Sequence, residues 1–204
     1  MRFTKLISIF LIILNLSCST KTKKSGNDFD LTNSHKLEFL NKNIYLPKNY
    51  KATTVEELII ARKVDGKFES FQTIQNEKLY EQKRSGEKFE IFCDKNNLKN
   101  SIIFSPGEYM PLNKNLISPY VIRLEKDVKP ELSKHNIGLE RLESKFITSE
   151  NTKSIKIKHR LIFDDKNIYL TQYIVTYKFN TFSIVVSNEK NIDYKFILKN
   201  FSTY

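Results

Sequence analysis

The chain has 204 residues, a length typical of one ordinary domain. Its hydrophobic share of 40% and aromatic share of 12% exclude a chain that is disordered by composition. Lysine and arginine number 34 against 23 aspartate and glutamate residues, which gives a formal net charge of +11. In a cytoplasmic protein this excess would suggest nucleic acid as partner, and elsewhere an anionic lipid, an anionic glycan or an acidic protein. The alternative is that the lysines are simply solvated.

The first 17 residues have the pattern of an export signal. Arg2 and Lys5 provide a basic start, and Leu6–Leu14 is an almost unbroken apolar run. A bilayer-spanning helix needs about 20 apolar residues. The run is shorter than that and fits the core of a signal peptide, which takes about 7–15 residues.

Cys18, preceded by Ser17, resembles the cysteine of the bacterial lipoprotein signal. That resemblance implies acylation of Cys18 by fatty acids such as palmitate, and a mature chain that begins there. Asn15 departs from the family pattern, which has Leu, Val or Ile at that position. The alternative is a plain secreted protein cut near Ser17 or Ser19.

The chain therefore divides into a signal peptide at 1–17, a flexible tether at 18–35 and a single globular domain at 36–204. The tether is polar and carries three lysines that can contact anionic headgroups, Lys21, Lys23 and Lys24. Once Cys18 is acylated, Cys93 has no cysteine with which to form an intramolecular disulfide. Its strand-like surroundings predict a small buried apolar side chain rather than a nucleophile.

The first half of the domain is predicted to mix strands and helices. Thr54 and Glu57 match a capping box, which starts a helix that runs to about Lys63. In chain order the pattern predicts a strand at Leu37–Leu46, that helix, a segment at Phe68–Gln82 that is either strand or helix, a strand at Lys88–Cys93, a turn at Asp94–Asn100, a strand at Ile102–Phe104 and a turn at Ser105–Glu108.

The second half is predicted to begin with a helix and end in an antiparallel meander. Ser118 and Pro119 suit a helix start, and Pro130 is expected to end that helix at about Lys129. The elements that follow are strands at Leu139–Ile147, Ile155–Phe163, Ile168–Phe179 and Phe182–Ser187, with turns at Asp164–Asn167 and Asn180–Thr181. A closing helix carries the apolar stripe Tyr194, Ile197, Leu198 and Phe201, and we expect it to lie across the sheet.

Two neighbouring strands of this meander supply the candidate binding surface. One carries Tyr169, Tyr173 and Tyr177, and the other carries Lys156, Lys158 and Arg160 between apolar residues. If a helix covers the tyrosines, they belong to the core. If they are open, they form a platform for a glycan or a partner protein. The basic residues have the opposite parity to the apolar ones in their strand, so the two sets are not expected to share a face.

Catalytic and metal-binding patterns are absent from the sequence. The histidines are His35 in the tether, His135 in a polar loop and His159 on the apolar side of a strand, where a satisfied core histidine is expected. There is no HExxH, CxxC, GxSxG or glycine-rich phosphate loop. The paired carboxylates Glu56-Glu57 and Asp164-Asp165 have structural explanations in a helix cap and a turn. We therefore predict no metal, no cofactor and no catalytic residue.

The order of elements resembles the Mog1/PsbP-like α/β/α fold, which includes small bacterial lipoproteins. The resemblance rests on the strand end Tyr45-Leu46-Pro47 and on Tyr177–Phe201, where a strand, a polar gap and an amphipathic helix follow one another. It implies an α+β domain with a central antiparallel sheet, a C-terminal three-stranded meander and covering helices. No catalytic motif comes with it, so it implies a fold and not an activity.

Together these patterns predict a non-enzymatic lipoprotein on the extracytoplasmic side of a bacterial membrane. It would bind another component of the cell envelope or assist envelope assembly. Its partners would be the membrane, through the lipid anchor, and an envelope protein or an anionic glycan or lipid, but not nucleic acid. The alternative is an envelope enzyme, hydrolase-like, whose dispersed active site is not recognisable in one sequence.

Overall fold

The computed structural model describes residues 33–61, 69–164 and 166–202. The strands are β1 Asn33–Leu37, β2 Lys42–Leu46, β3 Tyr50–Thr53, β4 Glu90–Asp94, β5 Asn97–Gly107, β6 Gly138–Thr148, β7 Thr152–Ile162, β8 Asn167–Tyr177 and β9 Asn180–Asn188. The α-helices are α1 Val55–Ala61, α2 Glu69–Arg84 and α3 Ile117–Lys134, and 3₁₀-helices lie at Glu38–Leu40, Lys114–Leu116 and Lys195–Phe201. The predicted signal peptide at 1–17, Cys18 and most of the predicted tether lie outside the described residues.

Seven strands form one antiparallel sheet in the order β3-β4-β5-β9-β8-β7-β6. The predicted meander is the β7-β8-β9 part of this sheet. Among the strands that the structure describes, β1 and β2 pair only with each other, as a separate hairpin. The predicted fold class, an α+β domain with a central antiparallel sheet and a C-terminal meander, is confirmed.

Both faces of the large sheet are covered, which gives the domain two apolar layers. On one face α3 packs its buried stripe, which includes Leu124, Val128 and Leu132. On the other face lie the β1-β2 hairpin and the closing 3₁₀-helix, with Ile197 and Phe201 fully buried. Because both faces are covered, β8 and β9 are buried along nearly their whole length.

The N-terminal hairpin corrects the single strand predicted at Leu37–Leu46. Strand β1 ends at Leu37, a 3₁₀ turn follows, and Asn41 reverses the chain in the left-handed conformation with φ 45°. Asparagine tolerates that conformation better than most residues. The strand begins at Asn33, three residues before the predicted start of the domain, so His35 belongs to the fold and not to a solvated tether.

Strand β5 is longer than the sequence suggested at both ends. The predicted turn at Asp94–Asn100 is wrong from Asn97 onward, where the strand already begins. The predicted turn at Ser105–Glu108 is also wrong, because β5 continues to Gly107 and Pro106 faces Phe182 of β9. Strand β4 pairs with β5 only as far as Phe104. At Pro106 the strand therefore has one neighbour, and a missing N–H is tolerated at such an edge.

The turn between β8 and β9 lies two residues earlier than predicted. Tyr177 pairs with Asn180, which leaves Lys178 and Phe179 as a two-residue loop. Lys178 takes the left-handed conformation, with φ 54°. Asn180 and Thr181, predicted as the turn, are the first residues of β9.

The helices confirm the predicted capping box and correct the predicted end of α3. The capping box is present, since Thr54 Oγ1 accepts from Glu57 N at 3.1 Å and the Glu57 carboxylate accepts from Thr54 N at 2.9 Å. The ambiguous segment predicted at Phe68–Gln82 is helical from Glu69 onward, as part of α2. The expected end of α3 before Pro130 is wrong, because the helix continues to Lys134 and buries Leu132 beyond the proline.

The closing segment is a 3₁₀-helix rather than the amphipathic α-helix expected there, but it does lie across the sheet. Asn200 joins it to the hairpin through the backbone of Tyr45. The Asn200 side chain accepts from Tyr45 N at 2.7 Å and donates to Tyr45 O at 3.1 Å. These two bonds link the C-terminal segment to β2 much as a neighbouring strand would.

We expect Pro130→Ala to stabilise the protein. Pro130 lies inside α3, where proline removes a hydrogen bond and crowds the preceding turn. The gain in the free energy of unfolding should be about 1–3 kcal/mol, measured by urea denaturation.

Pro119→Ala is the matched control, because Pro119 lies in the first turn of the same helix, where the N–H has no helical partner. That change should stay within about 0.5 kcal/mol. Equal effects of the two substitutions would contradict the prediction.

Candidate functional site

The predicted basic and aromatic residues share one face of the sheet. Lys156 pairs directly with Tyr173, and Arg160 pairs with Tyr169. Direct partners in an antiparallel pair point to the same side of the sheet. The expectation that the two sets lie on different faces is therefore wrong.

Most of this face is covered, so the interpretation of the tyrosines as core applies to two of the three. Tyr173 is fully buried, Tyr177 is 9% exposed, and Lys156 is 2% exposed. They lie beneath the chain that runs from β9 into the closing 3₁₀-helix. Tyr169 and Arg160 remain partly exposed, at the end of the strands nearest the β7-β8 turn.

The buried Lys156 ammonium lies between two carboxylates. Its Nζ is 2.6 Å from Oε2 of Glu143 on β6 and donates to Oδ1 of Asp193 at 3.0 Å. The Tyr173 hydroxyl is 3.5 Å from the same Asp193 oxygen. Both acids keep contact with water, since the side chain of Glu143 is 31% exposed and that of Asp193 is 55% exposed. The charge of Lys156 is thus neutralised without enclosing the acids.

The pKa values of the two carboxylates are lowered because both accept hydrogen bonds from Lys156. Burial alone would raise the pKa of Asp193, but hydrogen bonds from Lys156 and from the Lys195 backbone lower it below its ordinary value. Burial likewise opposes the net change at Glu143, where hydrogen bonds from Lys145 and Lys156 lower the pKa. Both acids are therefore ionised at neutral pH and hold the lysine.

Lys158 makes a second attachment to the same segment. Its Nζ donates to the Ile192 carbonyl at 3.0 Å and lies 5.9 Å from the centre of the Tyr169 ring. Burial, followed by repulsion from Lys156, lowers the pKa of Lys158. The two lysines together attach Ile192 and Asp193 to the sheet, so their role in this structure is to position the C-terminal segment.

Sequence reasoning missed Glu143 and Asp193, the partners of Lys156. Glu143 could have been found, because it lies in a strand predicted next to that of the lysines. In the structure it is the register partner of Lys158 on β7. Asp193 had no such signal, since it lies 37 residues from Lys156 in a polar stretch. On the rim, Arg160 contributes an ion pair with Glu140, with its Nε donating at 2.7 Å.

His159 lies on the opposite face and is fully buried, as expected for a core histidine. Its Nε2 is 3.2 Å from Oε1 of Glu125 on α3, and Arg141 lies 3.5 Å from the same oxygen. Burial outweighs the Glu125 contact and lowers the pKa of His159. Cys93 is also fully buried, in the same apolar layer. The predicted buried environment of both residues is confirmed.

The helix-covered face has a small apolar cavity of about 140 Å³. It lies between the start of α3 and β7, and is lined by Met110, Leu116, Pro119, Tyr120, Arg123 and Ile155. Within the described residues, no three His, Cys, Asp or Glu side chains are placed to hold a metal ion. None of the helices in that part of the chain is long and apolar enough to cross a membrane.

Comparisons with known proteins find similarity in solved structures only. The chain is similar to the cyanobacterial PsbP protein CyanoP from Synechocystis sp. PCC 6803, with 11% identity, a TM-score of 0.49, and coverage of 87% of this chain and 91% of that one. It is also similar to PA94 from Pseudomonas aeruginosa, described as a protein of unknown function and putative regulator, with 9% identity, a TM-score of 0.30, and coverage of 76% and 81%. No family model and no curated protein matches the chain. Similarities of this size carry no conclusion about activity.

We expect Lys156→Met to destabilise the domain, because it leaves Glu143 and Asp193 facing each other without their shared cation. Since both acids can hydrate, the loss in the free energy of unfolding should be modest, about 1–2 kcal/mol by urea denaturation. Lys145→Met is the matched control, because Lys145 pairs with the same Glu143 but its side chain is 41% exposed. That change should cost less than about 0.5 kcal/mol. A larger loss from Lys145→Met would contradict this account.

The same cluster predicts an acid-dependent part of stability. Because the folded-state pKa values of Asp193 and Glu143 are lowered, the unfolded state binds more protons as the pH falls through about 4. The contribution of the two ionised acids to the free energy of unfolding is present above that pH and is lost below it. The difference in unfolding free energy between wild type and Lys156→Met should therefore shrink between about pH 6 and pH 3. A difference that is constant with pH would show that the ion pairs do not contribute to it.

Proposed function

We propose that this chain is a lipoprotein of a bacterial cell envelope, acylated at Cys18, whose folded domain binds another envelope component. The observation that carries the proposal is the order of a basic start, the apolar run Leu6–Leu14, and a cysteine after Ser17. Two or more lipid chains on one cysteine suffice for stable anchoring.

The spacing between Cys18 and the fold suits a tethered domain. Fourteen residues separate Cys18 from Asn33, where β1 begins. A stretch of that length reaches at most about 50 Å. Asn33 itself is fixed, because its side-chain amide donates to the backbone carbonyls of Pro47 and Tyr50. The attachment point on the domain is therefore at one defined end of the hairpin.

The charge of the mature chain supports an anionic partner. Removal of residues 1–17 takes away Arg2 and Lys5, so 32 basic residues remain against 23 acidic ones, an excess of nine. Lys21, Lys23 and Lys24 follow the proposed anchor directly and would add about 1 kcal/mol each on an anionic membrane surface.

The test is the intact mass and detergent partitioning of the protein made in a bacterial host. We expect a mature chain that starts at Cys18, carries acyl chains and enters the detergent phase. Cys18→Ala should remain unacylated and partition into the aqueous phase.

Cys93→Ala is the control, since Cys93 is buried in the domain and should have no effect on acylation. A wild-type chain that is cut elsewhere, or that keeps an unmodified Cys18, would contradict the proposal.

A further inference from the structure

A cleft of about 330 Å³ opens at one end of the large sheet. It lies between the loop after β5, the β6-β7 turn and the β8-β9 turn. Its lining includes Tyr109, Glu150, Asn151, Lys153, Thr176 and Lys178. The volume is within the range of sites that hold small ligands, about 300–1,000 Å³.

An exposed aromatic pair lies at the edge of this cleft, and one of its two rings lines it. Tyr109 is 55% exposed and lines it, and the Tyr109 ring lies 6.5 Å from that of Phe179 at the tip of the β8-β9 turn. Phe179 is 86% exposed, the highest value among the large apolar side chains of the described residues. Neighbouring exposed aromatic rings on a soluble domain mark a contact surface rather than core.

The loop that carries Tyr109 is held rigidly against the sheet. Met110 N donates to Thr181 Oγ1 at 2.9 Å, and Thr176 Oγ1 donates to the Met110 carbonyl at 2.9 Å. The two threonine hydroxyls are themselves 3.1 Å apart. On the opposite wall, Ser149 and Thr152 close the β6-β7 turn through their backbones and hydroxyls. The cleft is therefore preformed, which reduces the entropy lost on binding.

The geometry points to an anionic polysaccharide as the ligand of this cleft. Sugar rings present apolar C–H faces and ring hydroxyls together. Tyr109, with Phe179 beside it, offers a flat apolar surface for the first, and Asn151 and Lys153 offer hydrogen-bonding groups for the second. Lys153 and Lys178 against Glu150 leave one net positive charge at the cleft, which favours acidic sugars over neutral ones.

The cleft lies at the end of the sheet opposite to the proposed anchor. Asn33 contacts Tyr50, whose register partner Asp94 precedes the start of β5. The cleft instead adjoins Gly107, the last residue of β5. Ten residues of extended strand correspond to about 34 Å. On the proposed function, the cleft and the point where the tether enters the domain would therefore lie at opposite ends of the sheet.

The test is binding of the full acylated protein, in detergent micelles, to polygalacturonate, a uronic-acid polymer, with dextran as the neutral probe. We expect saturable binding to polygalacturonate that weakens with salt, and weak or no binding to dextran. Phe179→Ala and Tyr109→Ala should each weaken binding about tenfold. Lys153→Gln should weaken it less, about threefold. Ile60→Ala, which removes a side chain 75% exposed on α1, is the control and should bind as wild type does.

Three results would overturn the inference. These are equal binding to both polymers, equal binding by Phe179→Ala and Ile60→Ala, and binding that depends on Phe179 to vesicles of phosphatidylglycerol and phosphatidylcholine but not to polygalacturonate. The last would identify the aromatic pair as a membrane contact. Acylation of Cys18 is read separately from the intact mass of the same sample, so loss of the anchor and loss of polymer binding remain distinguishable.

Discussion

The burial of one ammonium group constrains the whole C-terminal half of the domain. Lys156 lies in a strand with both faces covered, and an isolated charge in such a place would cost several kcal/mol. The cost is met by Glu143 from the edge strand and by Asp193 from the segment after β9. Asp193 must therefore lie over β7, and this places the 3₁₀-helix that follows it across the sheet. Apolar contacts then fix that helix, with Phe201 packed on Phe182 at a centroid distance of 4.9 Å.

Further polar contacts of the same segment select a single position for it. The Tyr50 and Tyr194 hydroxyls lie 3.0 Å apart inside the second apolar layer, and Asn188 donates to Tyr194. Burial raises the pKa of Tyr50 far above its ordinary value, so the hydroxyl remains a neutral donor and acceptor. Apolar packing alone would tolerate a shift of the segment along the sheet. Hydrogen bonds at Tyr194, Asp193 and Asn200 do not, because each has a defined partner on a different strand.

The sequence predicts the features that depend on neighbouring residues and misses those that depend on contacts between residues far apart in the chain. The Thr54–Glu57 cap and the β7-β8-β9 meander follow from neighbours within a few residues, and both are present. The Pro106-Gly107 pair is a strong turn signal, yet it lies in a strand because β9 pairs there and β4 does not. Alternating Lys156 and Lys158 indicate a solvated face only if nothing covers that face. Asp193, which makes their burial possible, is remote in sequence.

The two surfaces considered as binding sites differ in how much of their side-chain surface remains exposed to solvent. The tyrosine and lysine face satisfies its polar groups internally, and of its three tyrosines only Tyr169 is not in the buried core. At the cleft the balance is reversed, since Tyr109 and Phe179 are exposed while the threonines behind them are buried and hydrogen-bonded. A rigid support beneath exposed rings is the arrangement that binding requires, because the rings then need little ordering when a ligand arrives. Recognition is therefore to be sought at the tips of the strands rather than on their faces.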